Sequence, residues 1–318
     1  MPEKSYYCQL GLIFLTVLLT GAVTIVEAQP KNADCGPRIR LGSLLDNLRI
    51  APDGRVSIGR LYADCLPDPA RQSQSGYAYH PYDGGRLAAE IRDASGANYA
   101  TFVFYGRKVS TLWELDRYET VGGPAGVKPL AAGGRYELRF LIENREFMKF
   151  PFRVGVAESP DVYRPQKFFL LDGPWRDYAE IGYPNPNRYT QLRVWLRGVP
   201  ASDPNGTPVS CKFRIVREAD SKTLAEGAES YRLAPEWQLA TLSFAPAGAK
   251  YGEFPAAALL ERDGRYRIEL AIDDKPYGVY RFEVRDRQFY VSDRTPPADF
   301  GVPLESGPKG FALWRSDK

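Results

Sequence analysis

The sequence predicts an all-β protein built from two sandwich-like modules in tandem. Three observations carry that expectation: runs in which apolar and polar residues alternate, a segment that occurs twice, and an aromatic-rich composition punctuated by Gly and Pro. The chain has 318 residues, with 20 Tyr, 16 Phe, 5 Trp, 29 Gly and 26 Pro. Aromatic side chains favour strands, and Gly and Pro mark the turns between them. The length fits two domains of ~150 residues.

The duplicated segment runs Gly134-Arg135-Tyr136-Glu137-Leu138-Arg139-Phe140-Leu141-Ile142 and recurs as Gly264-Arg265-Tyr266-Arg267-Ile268-Glu269-Leu270-Ala271-Ile272, an offset of 130 residues. Each copy continues through a polar turn, Glu143-Asn144-Arg145-Glu146 and Asp273-Asp274-Lys275-Pro276, into a second alternating run. Those runs are Phe150-Pro151-Phe152-Arg153-Val154 and Tyr280-Arg281-Phe282-Glu283-Val284. Solenoid repeats have periods of ~20–50 residues, so this spacing suits whole domains. Tyr266, Ile268, Leu270 and Ile272 fall on one face of a strand and Arg267, Glu269 and Asp273 on the other, the period of a half-buried antiparallel strand. Arg281 and Glu283 are expected to meet Glu269 and Arg267 across the hairpin. Pro151 has no N–H for a ladder, so the return strand of the first copy is expected to be an edge, or bulged, there. Earlier in each copy, Leu87–Asp93 aligns loosely with Phe213–Ala219, and Gln191–Leu196 is a clean alternating strand. Ser43 to Ile50 allows one or two helical turns, and no long amphipathic helix follows.

Asp263-Gly264-Arg265-Tyr266-Arg267-Ile268 resembles the entry to the penultimate strand of immunoglobulin-like domains, where an acidic residue and a small residue precede a Tyr. The first copy keeps Gly134 and Tyr136 but has Gly133 in place of the acid. The resemblance implies a sandwich fold in each half and a Tyr hydroxyl that returns to the backbone at a corner. It implies no ligand, since fold does not fix function. The expected organisation is a signal peptide at 1–28, a first immunoglobulin-like antiparallel β-sandwich domain at 36–156, a second at 167–292, and a Pro/Gly-rich C-terminal tail at 293–318 in which Phe311 and Trp314 can dock.

The signal peptide is read from Lys4, the apolar run Leu10–Val26, and the small residues before Gln29. At about 17 residues the run is short for a membrane span, though an uncleaved anchor is the competing reading. Export to a periplasmic, cell-surface or extracellular location follows. Cleavage leaves Cys35, Cys65 and Cys211 in the mature chain. An oxidising compartment favours one disulfide, expected between Cys35 and Cys65 because both lie close in sequence in irregular stretches. Cys211 opens a strand pattern and is expected to be buried. A Cys65–Cys211 bridge, joining the two halves, is the alternative.

The 42 basic and 39 acidic residues are intermixed along the chain and give no clustered basic face for nucleic acid. The single histidine, His80, has no nucleophile motif around it. One His with three scattered Cys makes no zinc set, and Gly122–Gly126 has no Gly-Lys-Ser/Thr to complete a phosphate loop. Asn205-Gly206-Thr207 fits a glycosylation sequon but also a turn, the preferred reading. The carboxylates Asp172, Asp177 and Glu180, and the pair Asp273-Asp274, are close enough in sequence to raise carboxylate chemistry or calcium, without a calcium-loop pattern. Aromatic residues form the remaining candidates. Trp175, Arg176, Tyr178, Tyr183, Arg188 and Tyr189 bracket a loop opening the second domain, and Tyr77, Tyr79 and Tyr82 form a similar group in the first. Trp, Tyr and Arg are enriched at binding hot spots; the competing reading is that these rings cap the cores. No cofactor or metal is called for. The expected function is that of an exported, non-catalytic binding or structural protein, a protein-interaction or envelope/surface assembly component, with an unknown protein or a glycan as partner. A carbohydrate-binding module protein and a carboxylate-dependent hydrolase stand as alternatives.

Overall fold

In the computed structural model the described residues are 36–69, 76–110, 112–158, 162–163, 167–182, 190–198, 206–249, 252–290 and 310–316. Residues 35–318 belong to one compact unit. The expected signal peptide and Cys35 lie outside the described residues. The fold is predominantly β, and no helix among the described residues is long and apolar enough to cross a membrane.

The first half contains β1 (Arg38–Ile39), α1 (Leu41–Asn47), β2 (Leu48–Ile50), β3 (Val56–Ile58), β4 (Leu61–Asp64), β5 (Leu87–Asp93), β6 (Asn98–Val109), β7 (Leu112–Thr120), β8 (Arg135–Ile142), β9 (Arg145–Glu158) and β10 (Lys167–Asp172). The second contains β11 (Tyr178–Gly182), β12 (Gln191–Leu196), β13 (Thr207–Arg217), β14 (Lys222–Leu233), β15 (Gln238–Ser243), β16 (Ala245–Pro246), α2 (Ala256–Leu260), β17 (Gly264–Ile272), β18 (Lys275–Arg285), β19 (Gln288–Tyr290) and β20 (Gly310–Ser316). In α1, Leu41, Leu44 and Leu45 lie on one buried stripe that Leu48 extends, the spacing of an amphipathic helix.

The first sheet has the order β1-β4-β7-β6-β5-β8-β9-β10 and the second β15-β12-β11-β20-β18-β17-β13-β14-β16, with β19 also on β18. β15 pairs with β12, and after one further residue β16 pairs with β14, so the second sheet curls back on itself. Taking β15 and β16 as one strand, the halves follow the same plan. β1, β4, β5, β6, β7, β8, β9 and β10 correspond to β11, β12, β13, β14, β15–β16, β17, β18 and β19. β20 has no counterpart.

The duplicated hairpins, β8–β9 and β17–β18, match in detail. Glu143 and Asn144 (φ 49° and 64°) turn the first, and Asp273 and Asp274 (φ 49° and 61°) turn the second, both in the left-handed region that two-residue hairpin turns require. The register shifts at Phe140/Leu141 and at Leu270/Ala271, equivalent positions. Tyr136 stacks on Phe152 at 5.7 Å and Tyr266 on Phe282 at 5.4 Å. Pro151 faces Glu137 of β8, beyond the end of the β9–β10 pairing at Arg153, so its missing N–H falls on an edge.

Four details differ from the sequence reading. Leu87 faces Ile142 and Cys211 faces Ile272, so Leu87 is equivalent to Cys211 and not to Phe213. The hairpin register sets Arg267 opposite Arg281 and Glu269 opposite Val279. Glu269 instead holds Arg267 at 2.7 Å and Arg214 at 2.6 Å, while Arg281 reaches Glu218 at 3.1 Å. β10, expected at the start of the second domain, pairs with β9 and carries the first sheet to Asp172, and β20 with its buried Leu313 places part of the expected tail inside the second sheet.

Candidate binding surface

The loop expected to bind begins in a single tight turn, Pro174–Asp177, between β10 and β11. Trp175 has no exposed surface; it stacks on Phe150 at 4.9 Å and 9° and meets the edge of Trp237 at 6.2 Å. Such aromatic pairs add about 0.5–1.5 kcal/mol beyond the area they bury. The turn depends on Gly173, where a Cβ would lie 2.0 Å from Trp175 Cζ3. Trp237 Nε1 donates to Leu171 O at 2.6 Å, and the Arg197 guanidinium covers its ring at 4.8 Å. Tyr178 is buried against Trp314 at 5.8 Å. Trp175, Tyr178, Trp195 and Trp237 all join the core of the first half. Rings this buried offer almost no surface to a ligand, so Trp175 and Tyr178 are core groups, as the competing reading had it, and not the binding contacts proposed for them. Arg176 is exposed and lies 3.4 Å from Asp177 and 3.8 Å from Asp172. Tyr183, Arg188 and Tyr189 lie outside the described residues.

The carboxylates singled out from the sequence are held in ion pairs or turns. Asp177 pairs with Arg315, and the buried Glu180 with Arg193 at 3.1 Å. Asp273 accepts the Ser210 N–H at 2.8 Å, and Asp274 pairs with Lys212 at 2.6 Å. Among the described residues, no group of three or more His, Cys, Asp or Glu side chains is placed to hold a metal ion. Cys211 is a free, buried thiol whose pKa burial pushes up to about 11, the property of an inert core cysteine. Cys65, just past β4, has a left-handed φ of 54°.

The first half carries a different aromatic arrangement. Tyr79 is its buried anchor, packed on Trp113 at 5.3 Å, with its hydroxyl donating to Pro67 O. Its backbone bridges Gly106 of β6: Gly106 N donates to Tyr79 O at 3.1 Å and Ala78 N to Gly106 O at 2.9 Å. A Cβ on Gly106 would lie 2.9 Å from Tyr79 Cδ2, so glycine is what lets this segment lie on the sheet. On either side of this anchor, Tyr77 and His80 both reach Tyr105, at 5.1 and 4.9 Å between ring centroids. His80 Nδ1 accepts the Tyr82 N–H at 3.2 Å. On the sheet below, the β6–β7 register passes from Val103–Glu119 to Phe104–Arg117 and skips Tyr118. Tyr118 is thus the extra residue of a β-bulge, a device that re-aims a side chain.

Five rings converge there. Tyr105 lies 5.1 Å from Tyr77, 4.9 Å from His80 and 4.6 Å from Tyr118; Tyr82 lies 5.2 Å from His80 and 5.6 Å from Tyr118. Tyr82 is 72% exposed and the other four are half-buried. The interplanar angles run from 40° to 81°, so the rings form a faceted cluster and not a flat platform. Ion pairs border it: Arg107–Glu114 at 2.5 Å and Arg60–Asp116 at 2.6 Å. Burial, with the neighbouring Tyr82 and Tyr77, raises the Tyr105 phenol above its ordinary pKa. Sequence reading grouped Tyr77 and Tyr82 with Tyr79, which is buried, and singled out His80 only to find no nucleophile around it. It missed Tyr105 and Tyr118, which come from strands that meet them only in three dimensions.

No family model matches the chain, and no curated protein matches it. Among solved structures, a glycosyl hydrolase family 2 member from Bacteroides cellulosilyticus DSM 14838 aligns with 71% of this chain and 28% of that chain, at 14% identity and a TM-score of 0.24. A second structure, from microfluidic crystals of a family 2 member from Bacteroides cellulosilyticus, aligns with 74% and 29% at 13% identity and the same TM-score. The chain spans less than a third of those chains, and likeness at that score carries no argument about fold or activity.

Proposed function

We propose that this chain is an exported, non-catalytic binding protein of two tandem immunoglobulin-like sandwiches, and that it docks a protein partner on the Tyr/His face of the first. The observation that carries the reading is the five-ring cluster itself. Aromatic rings grouped on a surface, with Tyr82 largely exposed and charged pairs at the border, have the make-up of an interface centre with a polar rim. A stacked sugar row favours coplanar rings, and these are tilted by 40° or more, which favours a protein over a glycan. The tandem reading is supported by the shared strand order and by two corner tyrosines. Tyr266 donates to Arg262 O at 2.7 Å, and Tyr136 accepts the Ala131 N–H at 2.7 Å, each meeting the backbone a few residues upstream as immunoglobulin-like corners do.

The test is a photo-crosslinker at the exposed neighbouring position 83, placed both in the otherwise unsubstituted chain and in the double variant Tyr82→Ala/Tyr118→Ala. The expected result is one crosslinked protein partner, lost in the double variant with the melting temperature little changed. A glycan-array signal that the same variant abolishes would overturn the protein reading in favour of sugar. Tyr183, Arg188 and Tyr189 remain proposed contacts, read by the same assay with all three replaced by Ala. Export is tested separately: N-terminal sequencing of the mature protein is expected to begin at Gln29, and a membrane-bound chain retaining Met1 would sink it.

A further inference from the structure

We propose that β20 is a transferable strand, which two copies of this chain exchange between their slots at β11 and β18 to form a dimer. The aromatic face plays no part in this, so the two readings fail separately.

β20 stands outside the plan that the two halves share. In the first half, Ile39 N donates directly to Met148 Sδ of β9 at 3.2 Å, so the first strand meets β9 with no added strand between them. In the second half β20 fills that place. It pairs with β11 from Tyr178↔Trp314 to Gly182↔Gly310, and with β18 at Val279↔Ser316 and Tyr280↔Arg315.

The seat is specific. Leu313 is fully buried. Trp314 packs on Tyr178, and Arg315 pairs with Asp177 and lies over the Tyr277 ring at 5.0 Å. Gly278 leaves room for the Arg315 stem, since a Cβ there would lie 2.4 Å from Arg315 Cδ. Ser316 Oγ donates to Val279 O at 2.9 Å and accepts from Arg281 Nη1 at 2.5 Å. Without β20, β11 and the adjoining part of β18 would present unpaired N–H and C=O groups, the condition that recruits a strand from another chain.

The connection allows either source. Tyr290 and Arg315 sit on the same edge of β18, opposite Glu283 and Tyr280, a separation of about 10 Å at the rise of a strand. The 19 residues between β19 and β20 can span up to roughly 60 Å. Exchange preserves every contact of the seat, so strand source is set by protein concentration against the effective concentration of the chain's own tethered strand, on the order of millimolar.

The experiment uses the full chain carrying Val279→Cys and Ser316→Cys, which the register places opposite each other. The protein is unfolded, refolded at a series of concentrations and oxidised. The expected product is a disulfide between chains, on non-reducing gels, whose fraction rises about tenfold for a tenfold rise in concentration while the dimer is the minor species. Neither single-cysteine variant is expected to give that dimer. A disulfide that stays within one chain at every concentration overturns the proposal, and so does a dimer whose subunits each keep their own disulfide. Because the double variant can misfold, the unsubstituted chain is also refolded as a mixture of isotopically heavy and light copies. Native mass spectrometry is expected to find mixed-mass dimers that persist on dilution; a purely monomeric spectrum overturns the exchange.

Discussion

Cys211 is a thiol set among hydrocarbon. It faces inward from β13 with no exposed surface, and burial raises its pKa from 9.0 to about 11. As pH rises, the unfolded thiol therefore ionises first. Stability from this group is complete below 9.0 and is lost as pH climbs towards 11. Denaturant titrations across that window are expected to show a falling stability whose slope flattens in Cys211→Ala. The buried Tyr79, raised to about 12, is present in both proteins and cancels. An unchanged slope would mean that solvent reaches the thiol in the folded state. The burial of Cys211 was legible from its place at the head of an alternating run. The sequence left the burial of Trp175 open between a binding ring and a core cap, because alternation says nothing inside a turn. Its fate is decided by Phe150 and Trp237, which lie far from it in the sequence.

At the scale of elements, the duplicated hairpins were legible because strand, turn and return strand recur without a gap. Two finer expectations missed for one reason. A strand's side-chain period is two, so sliding Leu87 from Cys211 to Phe213 leaves the same residues facing the core. Sequence alternation alone does not detect a slip of that size. In the same way the hairpin register sets Arg267 opposite Arg281, two residues from the expected Glu269, and Glu269 holds Arg267 and Arg214 instead. The aromatic face was half legible. Tyr77, His80 and Tyr82 are close in sequence, but Tyr118 joins them only through its bulge. β20 was hidden because its neighbours β11 and β18 are remote in sequence, and a seven-residue strand after a Pro/Gly-rich stretch resembles a tail.

The whole molecule is held together by a core that crosses from one half to the other. Trp175, Tyr178, Trp195 and Trp237 come from the second half of the sequence yet pack with Phe150 and its neighbours from the first. The two sheets are therefore expected to melt together in calorimetry. Trp237→Ala removes a ring and the Leu171 hydrogen bond and is expected to cost about 3–5 kcal/mol. It is also expected to split the single transition into two. A single transition at lower temperature in the variant would mean that the remaining contacts suffice for coupling, and two transitions in the unsubstituted chain would refute coupling outright. This junction was not legible in advance, since nothing in a local pattern marks a side chain that leaves its own sheet to enter another.

The parallel stack of Trp175 on Phe150 also gives the protein an optical property. Four of its five tryptophans, Trp175, Trp195, Trp237 and Trp314, lie at or beside the junction, and the Trp175 indole N–H has no hydrogen-bond partner among the described residues. An indole shielded from water emits at the blue end of its range, so the fluorescence of the folded chain is weighted towards the seam between its halves. Any partner, strand exchange or mutation that loosens this seam will announce itself as a red shift, without a label.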